Sequence, residues 1–128
     1  MAELVVKTKK KREVVDITSE VQGVVEKSKG EGVCHVFVMH TTAALATADL
    51  DAGGTDLDYL DAFEKLVPKL GYRHPHDPAH MPDHILSTLI GTSLSLPVRN
   101  GRLVLGTWQR VVLFEFDGPR ERSVVVSL

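Results

Sequence analysis

Five of the chain's six histidines fall in two places. His40 closes an apolar run and opens the string His40-Thr41-Thr42-Ala43-Ala44-Leu45, and a short polar stretch carries His74, His76, His80 and His84. Neutral imidazole is the commonest protein metal ligand, and histidine alone has an ordinary pKa near neutrality, so this clustering points to a chemical site. Two close histidines on a loop, one on a following helix and one at a strand end are able to supply three nitrogen ligands and leave a position open. That is the arrangement of a catalytic zinc or a similar ion. An acid-base site is the other reading of the same residues.

Other side chains extend the candidate list. Thr41 and Thr42 bring hydroxyls and backbone N–H groups to a strand end, which suits an anion or phosphate ester, although a Thr-Thr turn also satisfies its own backbone. Asp49, Asp51, Asp56 and Asp58 come soon after in the chain. Asp56 and Asp58 read as helix N-terminal residues favoured by the dipole, which leaves Asp49 as the catalytic carboxylate to test first. Gly106-Thr107-Trp108-Gln109 interrupts a β pattern; it is either a bulge or a ligand platform made of an indole face and the Gln109 amide. Arg120 and Arg122 stand near a turn, where they either clamp a phosphate bidentately or lie solvated.

These residues need a frame. Leu4-Val5-Val6 and Val14-Val15-Asp16-Ile17 are rich in β-branched residues on either side of the basic run Lys7 to Arg12, which reads as a hairpin with a solvated turn. Thr18 or Ser19 caps a helix bearing Val21, Val24 and Val25, with Gly30 just past its end. Val33 to His40 is a buried strand. Side chains alternate along it, so His40 shares a face with Cys34, Val36 and Val38, and His35 points the other way and lies outside the site. Thr55-x-x-Asp58 starts a second helix ended by Pro68 and Gly71. Tyr72 to Asp83 is a proline-containing loop until Pro82 takes a first-turn position in a short helix running to Gly91. From Ser93 the pattern is β again. Asn100-Gly101 gives the strongest hairpin signal, and the strands from Leu94 to Leu128 read as a meander of three or four. The expected fold class is α+β: a largely antiparallel sheet with two to three short helices, in one domain covering residues 1–128.

A formal net charge of -2 excludes a generally basic nucleic-acid footprint. No segment approaches the roughly 18 apolar residues of a membrane span and the N-terminus carries no signal-peptide pattern, so a soluble cytoplasmic protein is expected. The one cysteine, Cys34, has no partner for an internal disulfide and reads as a small core hydrophobe.

Several strings occur in a fixed order: His40-Thr41-Thr42-Ala43-Ala44-Leu45, Tyr72-Arg73-His74, Met81-Pro82-Asp83-His84-Ile85, Leu96-Pro97-Val98, Gly101 to Gln109, and Gly118-Pro119-Arg120-x-Arg122. Together they resemble the YjbQ-like proteins, also called the secondary thiamine-phosphate synthase family, over almost the whole chain. The resemblance implies an α+β fold, a homotrimer, and a divalent metal, zinc by preference, held by His40, His74 and His84. His76 and His80 have no match. It also implies a weak transferase activity that joins a pyrimidine diphosphate to a thiazole phosphate and releases pyrophosphate. In that reading Asp49 and Thr41 are catalytic, and Thr42, Trp108, Gln109, Arg120 and Arg122 bind a small phosphorylated metabolite. Where many relatives carry Asn-Glu-Asn, this chain has Ala48-Asp49-Leu50, which removes both amides and shortens the carboxylate by one methylene. A metal-dependent hydrolase of a small phosphate ester, and a non-catalytic trimer that binds a metal or a small ligand, are the alternative functions.

Overall fold

The computed structural model describes all 128 residues. Eight strands and three helices occur in the order β1 (Ala2–Lys7), β2 (Glu13–Asp16), α1 (Thr18–Ser28), β3 (Gly32–Val38), β4 (Ala43–Ala48), α2 (Thr55–Leu66), α3 (Met81–Ile90), β5 (Ser93–Arg99), β6 (Arg102–Leu103), β7 (Arg110–Glu115) and β8 (Glu121–Ser127). They form two antiparallel sheets, one of five strands in the order β1-β8-β3-β5-β6 and one of three in the order β2-β7-β4. The architecture is α+β in three layers. Cys34, Val36 and Val38 of β3, with Val124 and Val126 of β8, face Leu45, Val111 and Leu113 across the space between the sheets, and α1 adds Val21 and Val25.

Alternation along β7 sends Val112 and Phe114 to the other face, where with Phe116 they meet Leu86 of α3, Val67 and the half-buried Tyr59 and Phe63 of α2. That second apolar cluster holds α2 and α3 on the three-stranded sheet. The outer face of the five-stranded sheet has no such cover, and Val5, Val33, Phe37 and Met39 stand about half exposed on it. His35 is on this outer face beside Ser95, away from the cluster that takes His40. Cys34 is fully buried in the main core. No helix is long and apolar enough to cross a membrane.

Three local expectations are corrected, and one strand that the sequence reading does not assign, β4, is found. β1 and β2 do not form a hairpin: β1 pairs with β8 and β2 with β7, so the basic run carries the chain from one sheet to the other. The C-terminal strands are not one meander either, because β5, β6 and β8 lie in the five-stranded sheet and β7 is the centre of the other. β4 has an alanine-rich sequence of low β-propensity, yet it is a strand, and its small side chains let α3 approach until Ser87 Oγ donates to the Ala43 carbonyl at 2.6 Å. Thr18 does not cap α1. Its hydroxyl is engaged with the Asp16 carboxylate and the Val111 N–H, and Lys29, not Gly30, takes the left-handed position after the last turn. The Asn100-Gly101 turn forms as expected, with both residues at positive φ between Arg99 and Arg102.

Candidate functional site

β3 ends at Val38, and the residues just past it build one end of the molecule. The last ladder bonds give way to Met39 N–H donating to the Ser123 carbonyl at 3.1 Å. One position on, β3 has no carbonyl left for the next β8 amide, and the His40 ring fills the gap: Ser123 N–H donates to His40 Nε2 at 2.9 Å. Opposite, α3 starts at Met81 with Pro82 in its first turn, which places His84 facing the same corner. His84 Nδ1 lies 3.0 Å from the Thr41 carbonyl, which only accepts, so Nδ1 carries the proton. Between them opens a cleft of about 580 Å³ lined by His40, Thr41, His84, Thr88, Phe37 and Met39. His74 comes in from the preceding loop and stacks on His84, with ring centroids 4.9 Å apart and planes 27° from parallel.

Beneath this corner lies a buried ion pair. Glu115 and Arg122 are inward-facing residues of β7 and β8 with almost no exposed surface. The Arg122 Nε donates to both Glu115 oxygens at 3.0 Å, and its Nη2 donates to Glu115, to the Thr42 carbonyl at 3.1 Å and to the Thr42 hydroxyl at 2.8 Å. Glu115 further accepts from the Thr8 hydroxyl at 2.7 Å and from Asp117 N–H. Arg122 and Thr42 are thus corrected. Their side-chain bonds run to each other and to Glu115, so both residues brace the His40-Thr41-Thr42 corner from beneath, and only Arg122 Nη1 is left without a partner in the chain. Arg120 is exposed and donates to the Asp117 carbonyl and carboxylate of its own turn.

The basic run reaches this end too, which its composition does not announce. Thr8 N–H donates to the Arg120 carbonyl, Gly118 N–H donates to the Lys11 carbonyl, and Arg12 Nη2 donates to the Asp83 carboxylate at 3.0 Å. A Cβ on Gly118 would stand 2.4 Å from the Lys10 carbonyl, so glycine is what allows the two turns to touch. Asp83 is buried one residue before His84; burial pushes its carboxyl up, against the pull of the Arg12 guanidinium. The sealed side chains of this end are visible in the sequence only as alternation: Val111-x-Leu113-x-Glu115 and Arg122-x-Val124-x-Val126 both carry a charge in register with core residues.

The remaining predicted residues lie elsewhere. Asp49 stands just past the far end of β4, whose six residues, spanning roughly 17 Å at strand spacing, lie between it and Thr41. Partial burial and the neighbouring Asp51 raise its carboxyl above the usual range. Trp108 and Gln109 precede β7 at that same far end, just before Arg110, which pairs with Ala48. Trp108 is 70% exposed, and the Gln109 amide oxygen accepts from Gly106 N–H in its own turn at 2.8 Å. Asp49, Trp108 and Gln109 therefore do not join the histidine cleft within one chain. His76 packs edge-on to His74, and His80 lies 3.4 Å from the Asp77 carboxylate.

The metal expectation meets a specific difficulty of donor chemistry. No three His, Cys, Asp or Glu side chains converge on a common point. His74 and His84 are close, but His40 Nε2 already accepts a backbone N–H, so the proton of a neutral His40 ring is on Nδ1 and no lone pair remains for an ion. The three-nitrogen set does not fit this arrangement.

Burial lowers the His40 pKa first, Arg122 and Arg120 lower it further, and Glu115 opposes them. A group whose folded pKa lies below its unfolded value lends stability that is present above the unfolded pKa and is lost as pH falls through the folded one. The urea midpoint should therefore decline below about pH 6.5, the ordinary histidine value, by a component absent from His40→Gln, whose amide oxygen still accepts from Ser123. Equal acid sensitivity in the two proteins would show that His40 is not held neutral.

A two-sheet α+β domain with a histidine cleft at one end of the sandwich is the class of protein that fold and site define. Residues 2–128 match the family model described as UPF0047 protein YjbQ-like, and the chain belongs to that family. An Archaeoglobus fulgidus UPF0047 protein is 43% identical over 126 residues, covering 98% of each chain. The Bacillus subtilis protein YugU is 32% identical over 98% of this chain and 96% of its own. Among solved structures, an uncharacterised YjbQ/UPF0047 family protein from Clostridium acetobutylicum superposes with a TM-score of 0.90 at 35% identity, covering 99% of this chain and 98% of that one. A conserved hypothetical protein from Thermus thermophilus gives 0.88 at 35% identity, covering 100% and 99%.

Proposed function

We propose that the chain is an enzyme acting on a small phosphorylated metabolite in the cleft between the end of β3 and α3. The observation that carries this reading is the convergence of His40, Thr41 and His84 on one open cleft. Fixed hydrogen-bonding groups at a water-accessible corner suit an anionic ester and the charge that develops as it reacts. The narrower proposal is the transferase reaction that the family resemblance implies, with a pyrimidine diphosphate, a thiazole phosphate and release of pyrophosphate. Hydrolysis of a small phosphate ester is the second reading, favoured because water reaches both rings. Neither reading depends on a metal; elemental analysis of the parent and of His84→Ala checks the zinc expectation, and zinc held by His84 would exclude that ring as a base.

Calorimetric titration with inorganic phosphate and pyrophosphate tests the site, and pyrophosphate release from the two phosphorylated precursors tests the reaction. Saturable binding is expected, and it should be weaker in His84→Ala, which releases the Thr41 side of the cleft by removing the N–H held on the Thr41 carbonyl. Absence of binding to either anion, together with no turnover of diphosphate or phosphate ester, would remove the enzyme reading.

We propose a homotrimer as well, from the same resemblance. The half-exposed Val5, Val33, Phe37 and Met39 on the uncovered sheet face support burial against another copy. Light scattering should give three times the 14.1 kDa chain mass; a mass of one chain would end the proposal.

A further inference from the structure

Two backbone groups fix what the cleft histidines present. A backbone N–H only donates, so His40 Nε2, 2.9 Å from Ser123 N, must be the bare nitrogen of its ring. A carbonyl only accepts, so His84 Nδ1, 3.0 Å from the Thr41 oxygen, must carry the proton. Neutral imidazole has one N–H, and both rings are therefore Nδ1–H tautomers held by opposite edges. The free edge of His40 is then Nδ1–H, a donor, and the free edge of His84 is Nε2 with its lone pair, an acceptor. Neither free nitrogen has a partner within the chain, no unpartnered side-chain nitrogen is sealed from solvent, and both residues line the cleft.

We infer that His40 and His84 form a complementary donor and base pair, with His40 Nδ1–H polarising an acceptor oxygen of the ligand and His84 Nε2 taking a proton from a hydroxyl or water beside it. The inference rests on the hydrolysis reading of the proposed function, which supplies the O–H nucleophile, and it replaces a metal-binding role for His40 with a hydrogen-bonding one. The step balances within the site. The O–H bond of the attacking hydroxyl or water breaks as its proton moves to His84 Nε2, giving an imidazolium that keeps Nδ1–H on the Thr41 carbonyl. The oxygen pair left behind bonds to the electrophilic centre, and the negative charge displaced onto the acceptor oxygen is met by His40 Nδ1–H. His74, stacked on His84, covers one face of the ring that becomes charged. Matching a fixed donor to developing negative charge and a fixed base to the departing proton is the standard division of labour in acid-base catalysis. Ligands of this class carry an oxyanion or polarised P=O or C=O group next to an O–H nucleophile.

Long-range ¹H–¹⁵N correlation on ¹⁵N-histidine-labelled, ligand-free protein reads the tautomers directly. The expected result is a protonated-type Nδ1 and a bare-type Nε2 at both His40 and His84, assigned by the spectra of His40→Gln and His84→Gln. An Nε2–H signal at either ring overturns the pair. Inorganic phosphate then probes the donor: His40→Leu, which has none, should bind it at least tenfold more weakly than His40→Gln, whose amide both accepts from Ser123 and donates into the cleft. Equal affinities for the two variants overturn the role of His40. If the tautomers are as inferred and the parent binds no phosphate, the pair stands and the phosphate reading of the proposed function falls.

Discussion

Replacing Glu115 or Arg122 singly by alanine is expected to cost about 3–5 kcal/mol, the range for leaving one charge of a buried pair uncompensated. Small domains have a total stability of about 5–15 kcal/mol, so either change removes a large part of it. The partners left behind set the cost. Without Arg122, the Glu115 carboxylate keeps only the Thr8 hydroxyl and the Asp117 N–H in a space between two sheets, while the Thr42 carbonyl and hydroxyl lose their donor. Without Glu115, the guanidinium keeps Thr42 alone. The double change Glu115→Leu with Arg122→Met replaces both charges by apolar volume and should cost much less than the two alanine changes added together. Urea unfolding of the four proteins decides the matter. If Arg122→Ala loses less than about 1 kcal/mol while phosphate affinity collapses, Arg122 is a ligand clamp and not an internal tie.

That outcome separates what the sequence shows from what only the packing shows. The strand end at His40, the start of the helix at Pro82 and the Asn100-Gly101 turn are legible because each is a local event: alternation, a fixed φ and a turn that needs positive φ. Pairing partners are not. The β-branched runs at Leu4 and Val14 look like two arms of a hairpin, but their register belongs to β8 and β7, more than ninety residues away in sequence, and local propensity carries no information about that choice. Arg122 shows the same limit in the site. Near a Gly-Pro turn a charged residue reads as solvated, and only its register with Val124 and Val126 hints that it points inward. The family strings behave differently again. His40, His74 and His84 gather at one end, whereas Asp49 and Trp108 lie at the other, because similarity of motifs marks membership and does not say which side chains meet within one chain.

Phe114→Ala is the second change with a large expected effect, and it tests whether the helix layer is what positions His84. The Phe114 ring lies 5.0 Å from Phe63 in an edge-to-face contact, 5.8 Å from Tyr59 and 6.5 Å from Phe116, and it is almost wholly buried under α2 and α3. Removing a buried phenylalanine side chain costs about 3–5 kcal/mol through lost transfer energy and the cavity left behind. Phe114→Leu, which fills much of that volume, should cost less than half as much, and Trp108→Ala, at an exposed turn, should stay within about 0.5 kcal/mol of the parent. The functional consequence comes through Leu86 and Ser87. Leu86 belongs to the same apolar cluster as Phe114, and Ser87 ties α3 to β4 through the Ala43 carbonyl, so a cavity beneath them loosens the helix turn that aims His84 at Thr41. Under conditions where the variant remains folded, phosphate binding should weaken and hydrogen exchange should quicken in α2 and α3 before it does in β3 and β8. Uniform loss of protection across both sheets would show that the two apolar clusters open as one, and that α3 has no independent freedom through which to control the cleft.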